Sequence, residues 1–449
     1  MKKRDVVILG GTMGISAGMS CRNHYPDKTI AMIRKEVNVQ VPCGIPYLFG
    51  TVATPEKNII PDRILESNRI ELIKGDAVDV DRSKKIVSLA GGETIGYEKL
   101  VLATGSLPLV PPIPGVDKKG VFPVKKDLSY LWHLLYQMEK IKNVVIIGGG
   151  FIGMEFADEC RKNRDINITV VEMLPRCLQM AMDEEFCEEA ESALTETDVK
   201  IMTNERVVSI LGDENVTGVE LASGEKINAD MVILGLGAVP NTSLAEKAGL
   251  ELGFRNTIKV DRHMRTVTDM DIFACGDCAE KFSFFDGRPS GVMLASVGGS
   301  EARIVGANLF SPTCYNIGTV GVFSTLINER AFAAAGITER YAKETGCEIV
   351  IGTETSTDTH PAGMPGSNIV KLKLIFAKDT GVLLGGGLSG GKSIGEMINV
   401  VSACIQHRMT ANDILMFQMG THPALTPSPI MYPLVNAACK SVGGIKSLS

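Results

Sequence analysis

Gly148, Gly150 and Gly153, with Glu172 following 24 residues after the first of them, are spaced to hold a dinucleotide. The first glycine permits a tight turn and the second lets backbone approach a pyrophosphate. The third lets helix and strand pack closely, and the helix N-terminus then faces the phosphates. Glu172 is placed to accept hydrogen bonds from a ribose hydroxyl, and its charge would repel a 2′-phosphate, so NADH is expected in preference to NADPH. A second turn, Gly10-Gly11-Thr12-Met13-Gly14, departs from this pattern. Thr12 stands where the second glycine belongs, Gly14 falls one position early for the third, and Arg34 occupies the place of the ribose acid, with Glu36 two residues on as a substitute. By itself that turn reads equally as a cofactor site or as a structural turn. Cys43, in Val41-Pro42-Cys43-Gly44-Ile45-Pro46-Tyr47, is the candidate for covalent redox chemistry, which needs a thiolate able to pass through reversible oxidation states.

The elements that must position these residues recur. Val6 to Leu9 and Val144 to Ile147 are apolar runs that enter the two glycine turns, and Ile30 to Ile33 and Ile168 to Val171 are the apolar runs that follow. Strand, turn, helix and strand in that order, twice, predict two Rossmann-like units. Leu100 to Ala103 is a buried strand running into Thr104-Gly105-Ser106, and Asp271 to Ala274 leads into Cys275-Gly276-Asp277. Pro108 to Pro114 is a stiff segment that no helix can enter and marks a boundary. The region from 316 onward alternates strand-like runs (Ile369 to Phe376, Val382 to Leu388) with a helix around Gly395 to His407, an α+β pattern.

Composition agrees with a soluble α/β protein. Hydrophobic residues make up 45% of 449 residues, charged residues 22%, and the net charge is −6, which excludes a disordered chain or a nucleic-acid surface. Forty-seven glycines cluster after apolar runs. Eleven cysteines, an odd number without short-domain spacing, argue for a reducing cytoplasm over a secreted disulfide framework. Lys2-Lys3-Arg4 before Val6 to Leu9 reads as the start of a first strand and not as a leader, because the apolar run is too short. No apolar stretch approaches the ~20 residues that span a bilayer.

Taken together, these motifs resemble the pyridine nucleotide-disulfide oxidoreductase family, along essentially the whole chain. The resemblance implies an α/β fold with two Rossmann-like dinucleotide-binding domains, for FAD and NAD, and an α+β C-terminal dimerisation domain. The implied boundaries are 1–112 and 246–315 for the two parts of the FAD-binding domain, 113–245 for the NAD-binding domain and 316–449 for dimerisation. Gly10, Gly11, Gly14, Glu36, Thr104 and Gly105 would line the FAD site, and Asp277 would bind the ribityl chain. Leu236 to Asn241 is similar to the family's Gly-x-x-Pro-Asn turn.

Two-cysteine members carry a second cysteine five positions after the first, where this chain has Leu48. Cys-Gly-x-Pro-Tyr resembles the single-cysteine branch of coenzyme A-disulfide reductases, NADH oxidases, NADH peroxidases and persulfide or polysulfide reductases. That implies hydride transfer from NADH through FAD to Cys43 and on to a disulfide, persulfide or polysulfide substrate. The first glycine loop offers Thr12 and Met13 in place of the peroxidase His, which disfavours peroxide chemistry. Asp358 to Gly366 is similar to a His-Ala-Gly-x-x-Pro-Gly stretch of the coenzyme A-disulfide reductases, with Pro361 intruding after His360. Thr421-His422-Pro423 resembles the segment that supplies a catalytic His across a homodimer, although Pro427 replaces its orienting carboxylate, and Tyr432 resembles a Tyr lent to the partner's site. Cys275 and Cys278 have CxxC spacing without a second ligand pair, so no metal is expected. The alternatives are an NADH oxidase that reduces oxygen at the flavin, and an electron-transfer flavoprotein subunit of a larger complex.

Overall fold

The computed structural model of the chain describes residues 2–445. Its first strand-turn-helix-strand unit is β1 (Lys2–Gly10), α1 (Thr12–His24) and β2 (Ile30–Arg34), with β3 (Thr94–Ala103) further on. The second is β4 (Asn143–Ile147), α2 (Phe151–Arg161) and β5 (Asn167–Val171), followed by α3 (Glu184–Thr195) and β6 (Met231–Leu234). Then come β7 (Ile272–Ala274) and α4 (Ala295–Asn308).

The chain folds into two compact units. The first gathers the chain up to Val110, Pro123–Lys140 and Gly237–Thr319; the second gathers Pro111–Phe122, Ile141–Leu236 and the chain from Val320 on. The Leu128–Met138 helix thus belongs to the first unit, although the strands that flank it in sequence belong to the second.

In the first unit one sheet runs Ile70–Lys74, β2, β1, β3, Ile86–Leu89, Ala77–Asp81, with β7 also paired to β3. The four strands β2, β1, β3 and β7 are parallel in register, Ile8 lying between Met32 and Val101, and Ile272 beside Leu100. Strands of this kind are covered on both faces, which is why Val6 to Leu9 and Leu100 to Ala103 are unbroken apolar runs and all buried. Residues 272–274 complete a sheet begun at residue 2, so the first unit is assembled from distant parts of the sequence.

In the second unit a five-stranded sheet runs Val121–Pro123, β6, β4, β5, Lys200–Met202. A three-stranded antiparallel sheet, Val207–Leu211, Gly218–Leu221 and Lys226–Asn228, shares its core. The C-terminal part is a five-stranded antiparallel sheet in the order Val322–Ile327, Arg330–Gly336, Leu383–Gly390, Ile369–Ala377, Ile349–Thr357. The helices Ile394–Gln406 and Pro433–Ser441 pack on it. Gly387 lies directly under the Phe186 ring of α3, where a Cβ would come within 2.5 Å of it. That contact seats α3 on the C-terminal sheet, as does the Lys371 to Glu189 ion pair at 2.7 Å.

Candidate functional site

The second glycine turn has the geometry of a dinucleotide cradle. Gly148 has φ of +106°, and a Cβ on Gly153 would fall 1.8 Å from the Gly148 carbonyl oxygen, so the turn and α2 touch through glycine alone. Gly150 is the N-cap of α2 with no side-chain cap, and a Cβ there would meet no protein atom within 4 Å. The start of α2 is thus uncapped and has open space beside Gly150, the arrangement that can take a phosphate. Glu172 is buried at the end of β5, with Oε2 accepting from Gly149 N at 2.6 Å and Oε1 from Leu174 N at 2.7 Å. Each oxygen keeps lone-pair capacity, so the glycine turn itself orients the carboxylate that sequence reading had assigned to the ribose. Cys177 packs its Sγ against Gly149, and burial pushes its thiol well above the ordinary range, as expected of a packing residue.

The first turn is the same device one residue shorter. Gly10 has φ of +137°, and a Cβ there would overlap the Ala103 carbonyl oxygen at 1.9 Å. The helix begins two residues later, at Thr12, where α2 begins three residues after Gly148. Gly14 and Gly153 are each the third residue of their helix, so Gly14 packs helix on strand as Gly153 does, with Ile8 Cγ2 3.0 Å from its Cβ position. Gly11, the N-cap of α1, likewise lacks a side-chain cap. Arg34 is fully buried and serves the scaffold: it donates to the carbonyls of Glu36 (3.0 Å) and Val37 (3.2 Å) and pairs with Asp62 at 2.5 Å. Its Nη1 is buried with no hydrogen-bond partner. Glu36 is exposed just beyond β2.

Thr104, Gly105 and Asp277 are brought to this cradle by the sheet, since β3 and β7 lie side by side and end together. Asn241 clamps the Thr104-Gly105 turn. Its N–H donates to Gly105 O (2.9 Å), its carbonyl accepts from Thr104 Oγ1 (2.6 Å), and its Nδ2 donates to Thr104 O (3.3 Å). Asp277 Oδ2 accepts from Ser106 Oγ at 2.7 Å. Two glycine cradles with uncapped helix N-termini fit dinucleotides on steric grounds. The first, with Asp277 at its rim, suits FAD, whose ribityl hydroxyls need an acceptor. Cys275 and Cys278, flanking the Asp277 turn, are buried, and burial pushes both thiols up, consistent with packing roles.

Cys43 is exposed, on a short turn Pro42–Gly44 that follows the strand Val39–Gln40. That strand passes the first glycine turn, with Val39 Cγ1 3.8 Å from the Cβ position of Gly11. Leu48, at the position where a second cysteine would be needed, is wholly buried. Asn58 supports the turn from beneath and was invisible to sequence reading. It donates to Val41 O (2.9 Å) and Gln40 Oε1 (3.1 Å), and its Oδ1 would lie 2.0 Å from a Cβ on Gly44. Trp132, on the Leu128–Met138 helix, donates to Glu56 at 2.8 Å and so ties that helix to the same segment.

In the second unit the two histidine motifs meet. His360 N donates to Pro423 O (2.9 Å) and its Nδ1 lies 2.9 Å from Thr426 O, so the segments around His360 and His422 form one surface. His422 is exposed, and its Nδ1 accepts from Ala424 N at 3.2 Å. Tyr432 is the N-cap of the Pro433–Ser441 helix, and burial raises its hydroxyl pKa. Glu155, on α2, is a residue that sequence reading missed. Burial pushes its carboxyl up to about 7, against a 2.8 Å hydrogen bond from Thr325 Oγ1. The carboxylates of Asp183, Glu185 and Glu339 converge, and the buried Lys373 ammonium pairs with all three.

Two glycine turns of dinucleotide-binding geometry and an exposed cysteine accord with a flavin- and pyridine-nucleotide-dependent oxidoreductase. The chain belongs to the pyridine nucleotide-disulphide oxidoreductase family, whose model matches residues 4–302, and the model of that family's dimerisation domain matches residues 322–430. Its cofactors are FAD and NADH. Among its relatives are an NADH oxidase of Methanocaldococcus jannaschii, 29% identical over 97% of this chain and 98% of that one. An NAD(P)H coenzyme A polysulfide/persulfide reductase of Pyrococcus horikoshii is 30% identical over 97% of each chain. The solved structure of an NAD-dependent persulfide reductase from A. fulgidus matches with a TM-score of 0.89 at 29% identity, covering 98% of this chain and 82% of that one. No helix among the described residues is long and apolar enough to cross a membrane.

Proposed function

We propose that this protein is an NADH-dependent reductase of sulfur compounds, with Cys43 as the residue that meets the substrate. The observation that carries the reading is an exposed cysteine on a turn supported by Asn58, with buried Leu48 where a second cysteine would be needed. With Leu48 at that position the two-cysteine disulfide of the family cannot form, and in this reading Cys43 bonds to sulfur from a substrate. Attack of the Cys43 thiolate on a disulfide or persulfide forms a mixed disulfide or a Cys43 persulfide and releases a thiolate. Two electrons then cleave the new S–S bond and restore the thiolate. FAD, held at the first glycine turn and the Asp277 turn, would supply those electrons, received as hydride from NADH. The names of the P. horikoshii and A. fulgidus relatives, polysulfide/persulfide and persulfide reductase, support this substrate class.

Within this reading Gly148, Gly150 and Gly153 hold the NADH pyrophosphate, and Glu172 holds a ribose and disfavours NADPH. Gly10, Gly11, Gly14, Glu36, Thr104, Gly105 and Asp277 hold FAD. His422 exchanges a proton with the departing thiol and Tyr432 helps to bind the substrate, both from the partner subunit of a homodimer in a reducing cytoplasm. Oxygen reduction is the second reading, favoured by the name of the M. jannaschii relative, NADH oxidase.

The test is anaerobic NADH titration of the parent and of Cys43→Ser, followed by turnover with coenzyme A disulfide, glutathione disulfide, polysulfide, oxygen and peroxide. NADH should bleach the flavin in both. Cys43→Ser should lose sulfur reduction by at least about a hundredfold, as removal of a covalent nucleophile does. Reduction of oxygen alone by the parent, or undiminished sulfur reduction by Cys43→Ser, would overturn the reading.

A further inference from the structure

Behind the Gly276-Asp277 turn lies a buried ion pair. Lys281 Nζ stands 3.4 Å from Glu301 Oε2, and each side chain is 2% exposed. The pair grips Gly276 from both ends. Glu301 Oε2 accepts from Gly276 N at 2.9 Å, while Lys281 Nζ donates to Gly276 O at 2.6 Å and to Ala279 O at 3.0 Å. Gly276 needs such a grip. Its φ is +76°, a Cβ there would come within 2.9 Å of Met13 on α1, and Gly298 on α4 closes the other side with its Cβ position 3.1 Å from Gly276 Cα. Asp277 is the next residue.

Stability does not account for this pair. Taking two charges out of water costs several kcal/mol per ion, and a well-packed apolar pair of the same volume is often as stable or more so. Glu301 Oε1 is buried and has no hydrogen-bond partner, so the carboxylate is not even fully satisfied. What the pair does provide is direction, because Glu301 accepts from Gly276 N while Lys281 donates to the carbonyls of Gly276 and Ala279.

We propose that Lys281 and Glu301 are positioning residues for bound FAD: they hold Gly276, and through it the Asp277 carboxylate, in the orientation that receives the cofactor. The proposal rests on the reading that the Asp277 turn belongs to the FAD site.

The test uses the full chain, with FAD bound and after its removal, as parent, Lys281→Met, Glu301→Gln, the double variant Lys281→Met/Glu301→Leu, and Asp277→Ala. FAD affinity is read from quenching of flavin fluorescence on rebinding, and stability from the Tm of the FAD-free protein. Each single variant should weaken FAD binding by about tenfold or more, the size of one lost charge-assisted hydrogen bond. The double variant should recover the parent Tm, since it leaves no unpaired buried charge, yet still bind FAD weakly. A double variant that recovers both Tm and FAD affinity would show a merely structural pair and overturn the proposal. Loss of FAD in Asp277→Ala with parental affinity in Lys281→Met overturns the proposal alone. Parental affinity in Asp277→Ala overturns the flavin reading of the turn and the proposal with it.

Discussion

Replacing Gly150 with alanine separates what the cofactor needs from what the protein needs. A Cβ at Gly150 meets no protein atom within 4 Å, and its backbone, φ −75° and ψ −177°, is one that alanine adopts. The poorer N-cap and the less flexible unfolded chain nearly offset each other, so stability should change by no more than about 1 kcal/mol. The cofactor is affected differently. If the pyrophosphate rests on the uncapped start of α2, the new methyl group occupies its place and two backbone N–H bonds to phosphate are lost. At ~1.5 to 3 kcal/mol for each charge-assisted bond, NADH affinity should fall by about a hundredfold or more. Gly153→Ala is the contrast: its Cβ would lie 1.8 Å from Gly148 O, so the turn must open and Tm must fall with NADH affinity. The assay is anaerobic stopped-flow reduction of the flavin over a range of NADH concentrations, with flavin content and Tm measured on the same preparations. A Gly150→Ala protein whose NADH dependence stays within about threefold of the parent would refute the placement of the pyrophosphate, because no other atom stands near that methyl group.

Two further predictions concern groups that sequence reading missed. Asn58→Leu removes the bonds to Val41 O and Gln40 Oε1 beneath the Cys43 turn, and one buried hydrogen bond is worth ~1 kcal/mol or more. Sulfur reduction should therefore fall by about tenfold, while flavin reduction by NADH keeps its rate; equal loss in both would show that Asn58 supports the flavin unit generally. Burial pushes the Glu155 carboxyl up to about 7 from an unfolded value of 4.5, so the native state holds an extra proton between those two values. Its contribution to stability then declines as pH rises through that window, by up to about 3 kcal/mol. Glu155→Gln keeps an acceptor for Thr325 and removes this penalty, so its Tm relative to the parent should be more favourable at pH 8 than at pH 5. A difference that does not change with pH would be evidence against a raised carboxyl.

The parts of this molecule legible in its sequence are those written locally. Strand, glycine turn, helix and strand follow one another within about 30 residues, and the apolar runs of β1, β3 and β4 announce strands covered on both faces. The irregular first turn looked defective in sequence because a fingerprint counts positions, whereas the structure counts from the helix start, and by that measure Gly14 is where Gly153 is. What stayed hidden joins residues without periodic relation: Asn58 with Gln40, Asn241 with Thr104, Glu301 with Gly276. A lysine or an asparagine in a loop gives no sign of being buried until the sheet brings its partner to it.

The late arrival of β7 bears on how this chain is made. Along the Leu100 to Leu102 stretch of β3, one edge is paired with β1 and the other with β7, which begins at Ile272. Between synthesis of the two lie about 170 residues, which a ribosome adding ~5 to 20 residues per second needs roughly ten to thirty seconds to complete. For that interval this edge of β3 lacks its partner strand, while the sheet of the second unit is being made. The first sheet is therefore complete only once Ile272–Ala274 has been made.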